Sequence, residues 1–143
     1  MKAATFIAAI LMILYADAVL AQRYAVSAAI ANIRSGPGTQ HDILWQVERY
    51  YPIVVLERKG PWIRFKDFEG DQGWIFANLI RKIPAVITKN EQCNLRAGPG
   101  TKYKIVDTAE RGVPFKVLDA KGNWLHVQHA DGDKSWIHKS LVW

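Results

Sequence analysis

Ile33-Arg34-Ser35-Gly36-Pro37-Gly38-Thr39 returns further along the chain as Leu95-Arg96-Ala97-Gly98-Pro99-Gly100-Thr101. The register then holds without a gap: Pro52 answers to Pro114, Trp62 to Trp124, Gly70 to Gly132, Trp74 to Trp136 and Leu79 to Leu141, every pair 62 residues apart. Two copies in register mean one short structural unit used twice, and a function to be sought on a surface present twice.

Ahead of the first copy, Met1-Lys2 supplies a positive start and Ala3 to Tyr15 is an apolar run broken only by Thr5. Ala16-Asp17-Ala18 and Val19-Leu20-Ala21 each offer a small-x-small cleavage site, the pattern of a secretory signal peptide over residues 1–21. A run of about 13 apolar residues falls short of the roughly 20 that cross a bilayer, so the mature form is expected to have no stable membrane span. No cysteine follows either cleavage site, which argues against a lipid-modified N-terminus. The expected location is periplasmic or secreted.

The remainder divides into units at 22–83 and 84–143. Units of about 60 residues are near the lower limit for folding alone. The joint Arg81-Lys82-Ile83-Pro84 lacks the Gly/Ser character of a free linker, so the copies are expected to pack on each other. Net charge is +6. Residues 23–83 hold nine Lys/Arg against six Asp/Glu, residues 84–143 hold the same, and the charges are interspersed. In an exported protein this balance suits a solvated surface or anionic envelope polymers and lipid head groups; nucleic acid is not an expected partner. Cys93 is the only cysteine, so no intrachain disulfide can form, and it reads as a small strand position matching Ala31.

The mature chain reads as all-β. Pro52-Ile53-Val54-Val55-Leu56 is a β-branched run. Lys59-Gly60-Pro61 turns it into Trp62-Ile63-Arg64-Phe65-Lys66, and Glu69-Gly70-Asp71 turns again into Gly73-Trp74-Ile75-Phe76. The second copy follows with Phe115–Leu118, Trp124–Val127 and Trp136–His138. Alternation bounded by glycine turns every 8–12 residues is the mark of a small barrel or sandwich. In Gly-Pro-Gly, Pro37 and Pro99 suit the second position of a type II turn, and Gly38 and Gly100 would then supply the positive φ of the third. No Lys-Ser/Thr follows, so the motif is not a phosphate cradle.

Asn-(Ile/Leu)-Arg-x-Gly-Pro-Gly-Thr, an apolar strand, Gly-x-Trp and a closing Trp-Ile together resemble the bacterial SH3 (SH3b) domain family over Asn32–Ile80 and Asn94–Val142. Ser135 stands where the first copy has Gly73, and Ala130 where it has Phe68. The resemblance implies two tandem SH3-like small β-barrels of five to six strands each. It also implies exported modules that bind peptidoglycan stem peptides or another envelope component. The proline and tyrosine that shape the polyproline groove of eukaryotic SH3 domains are here Phe76 and Leu79, with His138 and Leu141 in the second copy, so a proline-rich ligand is disfavoured.

Aromatic side chains on loops and outward strand positions offer contact area at low entropy cost. In the first unit the candidates are Trp45, Tyr50, Tyr51, Trp62 and Phe68; in the second they thin to Tyr103, Trp124 and His126. Trp62 and Trp124 sit three residues before Phe65 and Val127, which by strand parity turns them to the face opposite the core. Trp74 and Trp136 are expected in the core or half in it. Trp45 and Tyr51 answer to Asp107 and Val113, so they mark either a site unique to the first unit or the surface packed on its neighbour. Arg34 and Arg96 could grip a ligand carboxylate, or bond internally to an acidic residue or to loop carbonyls. Nothing ties Cys93 to any of the four histidines, no zinc-ligand spacing is present, and the chain stops at Trp143 directly after the last barrel segment. The expectation is a binding protein without catalysis, cofactor or metal. Its partner would be cell-wall peptide or, alternatively, an envelope protein.

Overall fold

The computed structural model describes residues 22–143; the signal-peptide expectation for residues 1–21 lies outside them. The described chain contains thirteen strands, two single 3-10 turns and no α-helix. The first sheet comprises β1 (Arg23–Val26), β2 (Ile30–Arg34), β3 (Ile43–Glu48), β4 (Pro52–Lys59), β5 (Trp62–Lys66), β6 (Gln72–Phe76) and β7 (Ile80–Arg81). It runs β3-β2-β6-β5-β4-β1-β7. The second comprises β8 (Ala85–Ile87), β9 (Cys93–Arg96), β10 (Ile105–Ala109), β11 (Pro114–Lys121), β12 (Trp124–Gln128) and β13 (Lys134–His138), in the order β10-β9-β13-β12-β11-β8. The first sheet thus has seven strands, one beyond the expected range. The extra strand is the two-residue β7, which pairs Arg81 with Ala25 and Ile80 with Val26. Its counterpart in the second unit is a lone bridge between Thr88 and Val142.

The central hairpins follow from period-two alternation. In β5 Ile63 and Phe65 are fully buried while Trp62 and Arg64 are half-buried, and in β12 Leu125 and Val127 are buried between Trp124, His126 and Gln128. Lys59 pairs with Trp62 and Lys121 with Trp124. Each connection is therefore two residues long, Gly60-Pro61 or Gly122-Asn123. Both glycines take φ +57. Pro61 cannot adopt a positive φ, so the turn is of the II′ kind, whose twist matches the strands it joins. Each β4–β5 and β11–β12 ladder shifts register once, at Val55/Glu57 and Val117/Asp119, the kind of bulge that bends a sheet toward closure.

Val26, Ala31, Ile33, Ile53, Ile63, Phe65 and Ile75 form the first core, and Cys93, Leu95, Phe115, Leu125, Val127 and Ile137 the second. The units meet as expected. Ile87 of β8 belongs to the first core and Trp143 packs against it. The Arg23 guanidinium lies 4.1 Å from the Trp143 ring centroid and donates to the Ala85 carbonyl at 3.2 Å. Arg111 lies 5.2 Å from the Phe68 ring centroid, and Glu48 is 3.8 Å from His129. Tyr50 adopts φ +73, a region costly for a residue with a Cβ; its equivalent is Gly112 at φ +87. Both donate the same backbone bond at 2.8 Å, to Val26 and Thr88 respectively.

Cys93 occupies a fully buried position in β9, with Sγ 3.5 Å from the Asn90 carbonyl, and burial pushes its thiol up.

Candidate functional site: the aromatic groove beside the Gly-Pro-Gly loop

The repeated loop is built twice with the same bonds. Gly38 N–H donates to Gly36 O and Gly100 N–H to Gly98 O, both at 2.9 Å, a three-residue turn centred on the proline. His41 N–H then donates to Gly38 O and Tyr103 N–H to Gly100 O, both at 3.2 Å. Gly38 and Gly100 are not among the positive-φ residues, so the type II expectation is corrected. The demand for glycine falls instead on the first position. A Cβ on Gly36 would lie 2.6 Å from the His41 ring, and one on Gly98 would lie 2.5 Å from the Tyr103 ring. The ring folds down on the loop and only a bare Cα fits beneath it.

Arg34 and Arg96 close these loops from inside. Nη1 of Arg34 donates to Thr39 O at 3.1 Å and His41 O at 2.9 Å; Nη1 of Arg96 donates to Thr101 O and Tyr103 O at the same two distances. Of the roles open to these arginines, the internal bond to loop carbonyls is the one present. Each guanidinium pins its loop from within, and Arg34 lines a groove.

That groove, about 670 Å³ in the first unit, is lined by Arg34, the loop residues Pro37 to Gln40, Trp62, Phe76 and Leu79. Trp62 and Phe76 meet at 5.6 Å between centroids. The 3-10 turn Ala77–Leu79, entered through Ala77 N–H to Pro61 O at 2.7 Å, delivers Leu79 to the groove. Gln46 donates to Asn32 at 2.7 Å and stiffens the far end. The second unit places Trp124 against His138 at 5.2 Å, with Lys139 N–H on Asn123 O repeating the entry bond.

The other sequence candidates fall elsewhere. Tyr51 is only 9% exposed and donates its hydroxyl to Asp67 at 2.7 Å; burial first and that bond second push its phenol far above the ordinary value. It is a core residue, which takes it off the ligand surface. Trp45 packs edge-on against Phe65 at 6.4 Å and leans on the first core. Phe68 stacks edge-on against Tyr51 and faces Arg111, at the meeting of the two units. Trp74 is buried yet outside the core cluster, beneath Lys59; Trp136 is half-buried and stacks on His126 at 4.6 Å with planes 10° apart. Tyr103 is the ring over Gly98. The structure therefore brings Arg34 and Trp62 together in one groove. It adds Phe76, Leu79 and Gln46 to them; strand parity could have pointed to Phe76, because it pairs with Trp62 across the β5–β6 ladder.

Two small barrels, each with an arginine-stapled loop and a tryptophan paired with a ring on the neighbouring strand, define a tandem SH3-like protein. The family model described as "Bacterial SH3 domain" matches residues 27–82 and 89–143, and the chain belongs to that family. Among curated relatives, "Putative N-acetylmuramoyl-L-alanine amidase YrvJ" of Bacillus subtilis (strain 168) is 25% identical over 122 residues, covering 78% of this chain and 23% of the relative. "Probable cell wall amidase LytH" of Staphylococcus epidermidis is 39% identical over 64 residues, 44% of this chain and 22% of the relative. The chain thus spans less than a quarter of these relatives. Among solved structures, an NlpC/P60 family protein from Bacillus cereus aligns over 85% of this chain and 55% of its own, at 15% identity and TM-score 0.37.

Proposed function

We propose that this protein is an exported, non-catalytic binding module that recognises a cell-wall component, with peptidoglycan stem peptide as the ligand class and the Trp62–Phe76 groove as the principal surface. The observation that supports this reading most is the groove lined by the stapled loop and the Trp62–Phe76 pair, with the staple and a ring pair, Trp124–His138, recurring in the second unit. A groove with one rigid polar wall and one flat aromatic wall accepts an extended chain: the rings take its apolar face and the Asn32–Gln46 side its amides. LytH is named a probable cell wall amidase and YrvJ a putative N-acetylmuramoyl-L-alanine amidase, and the segment they share with this chain is its SH3 part. That pairing supports a wall-directed binding role here.

The test is co-sedimentation with purified, protein-free peptidoglycan across a salt series. Binding that survives moderate salt and falls at least about tenfold in Trp62→Ala/Trp124→Ala, with the fold retained, is the expected result. Binding that disappears with salt would reduce the interaction to the +6 charge. No binding at any salt would end the wall reading and leave an envelope protein as the partner to seek.

A further inference from the structure

The second barrel contains a cavity of about 640 Å³ away from the groove. Its floor is apolar, from Leu95, Ala109, Val113 and Phe115, and its rim carries Asp107, Glu110, Asp131 and Asp133 with one lysine, Lys134, and His129. In the first barrel two of the equivalent positions hold much larger side chains. Trp45 stands where the second has Asp107 and Tyr51 where it has Val113; next to the lining residue His129, Phe68 answers to Ala130. Gly73 answers to Ser135, and a Cβ on Gly73 would run into Ile33 and come within 3.4 Å of the Trp45 ring. The obstacle is the β-branched Ile33, whose place Leu95 takes in the second barrel; the Trp45 ring would be in ordinary contact.

Ser135 is only 8% exposed, and its hydroxyl has no hydrogen-bond partner among the described residues; it opens on the cavity. Its Oγ is reached by solvent through the cavity, since no fully buried side-chain oxygen among the described residues lacks a partner. Asp131 is engaged, accepting from Asp133 N–H at 2.8 Å and lying 3.2 Å from His129, and those contacts, the backbone bond foremost, hold its carboxyl below the usual range. Asp107, Glu110 and Asp133 form no ion pair among the described residues. A negative rim on a protein of net charge +6 runs against the molecule's overall field. No group of three His, Cys, Asp or Glu among the described residues is placed to hold a metal ion.

We propose that this cavity binds the aminoalkyl side chain of a short peptide: a primary ammonium on an aliphatic stem. The stem would lie along Leu95, Val113 and Phe115, and the ammonium, a compact donor of three hydrogen bonds, would serve Ser135 Oγ and the Asp107 and Asp133 carboxylates. The site is separate from the groove and stands whether or not the groove reading does.

The experiment is an NMR titration of the full chain with Nα-acetyl-lysine methylamide, run beside the uncharged Nα-acetyl-norleucine methylamide. Saturable shifts at the Leu95, Asp107 and Ser135 amides are expected for the lysine probe, at least about tenfold weaker for norleucine. Asp107→Trp/Ser135→Gly, which refills the cavity as the first barrel does, is expected to abolish them; Trp62→Ala is expected to leave them unchanged. If the refilled variant does not fold, Asp107→Asn/Asp133→Asn takes its place, with a loss of about tenfold expected. Equal response to both probes, shifts located elsewhere, or lysine binding undiminished in these variants would overturn the proposal.

Discussion

The two barrels share a backbone plan and differ in what fills one end. In the first, Trp45 packs on Phe65 and Tyr51 on Phe68, and the Tyr51 hydroxyl bonds the buried Asp67 carboxylate, which also accepts the Glu69 and Asp71 N–H groups at 3.0 Å. In the second, Val113 and His129 replace Tyr51 and Asp67, and the space stays open. The loop and its arginine, by contrast, are reproduced bond for bond. Duplicated units therefore kept the wall of the groove and let the opposite end diverge, the end that closes the first barrel and hollows the second.

Several substitutions would sharpen or break that contrast, all readable by chemical denaturation. Phe65→Ala removes a fully buried ring supported by Trp45, and a loss of about 4 kcal/mol is expected. Phe115→Ala should cost nearer about 3 kcal/mol, because that ring already borders an open cavity into which water can follow. Equal losses would mean that the second barrel's cavity does not soften its core. Tyr51→Phe strands Asp67, only 4% exposed, without its hydroxyl partner, and about 2 kcal/mol should go. Gly98→Ala, forcing the Tyr103 ring off its loop, should cost about 1–2 kcal/mol, and Gly36→Ala the same if the two loops are equivalent. Tyr50→Gly should stabilise the first barrel by up to about 1 kcal/mol by relieving its positive φ, as Gly112 does in the second.

The smallest effect concerns Cys93. Its folded thiol value is raised by burial, so the stabilisation from keeping it protonated is complete below the unfolded value and is lost as pH climbs through the folded one. At neutral pH a thiol reagent should label Cys93 at least about tenfold more slowly than a free thiol, with the rate rising on denaturation. Fast labelling of the native protein would show that the second core opens far more readily than its burial implies.

The central hairpins were legible because their burial follows strict alternation, and β5 runs over the same Trp62–Lys66 span that alternation picks out. The edge strands β3 and β10 were not. Ile43, Leu44, Ile105 and Val106 are apolar yet about half exposed, so apolarity there does not mark an inward face. The Gly-Pro-Gly signal was read as a loop correctly but assigned the wrong glycine, because the constraint is a ring arriving from five residues on, which local turn chemistry cannot show. For the groove, parity was enough to turn Trp62 away from the core. Tyr51 was misplaced because an aromatic beside a loop reads as exposed until its partner Asp67 is known.

Ile87 and Trp143 complete the first barrel's core although they lie in and after the second barrel's segment. On a ribosome, the first barrel therefore cannot reach its final packing until the second has been synthesised. Emerging first does not let it finish first: its core is complete only once Ile87 and Trp143 have followed.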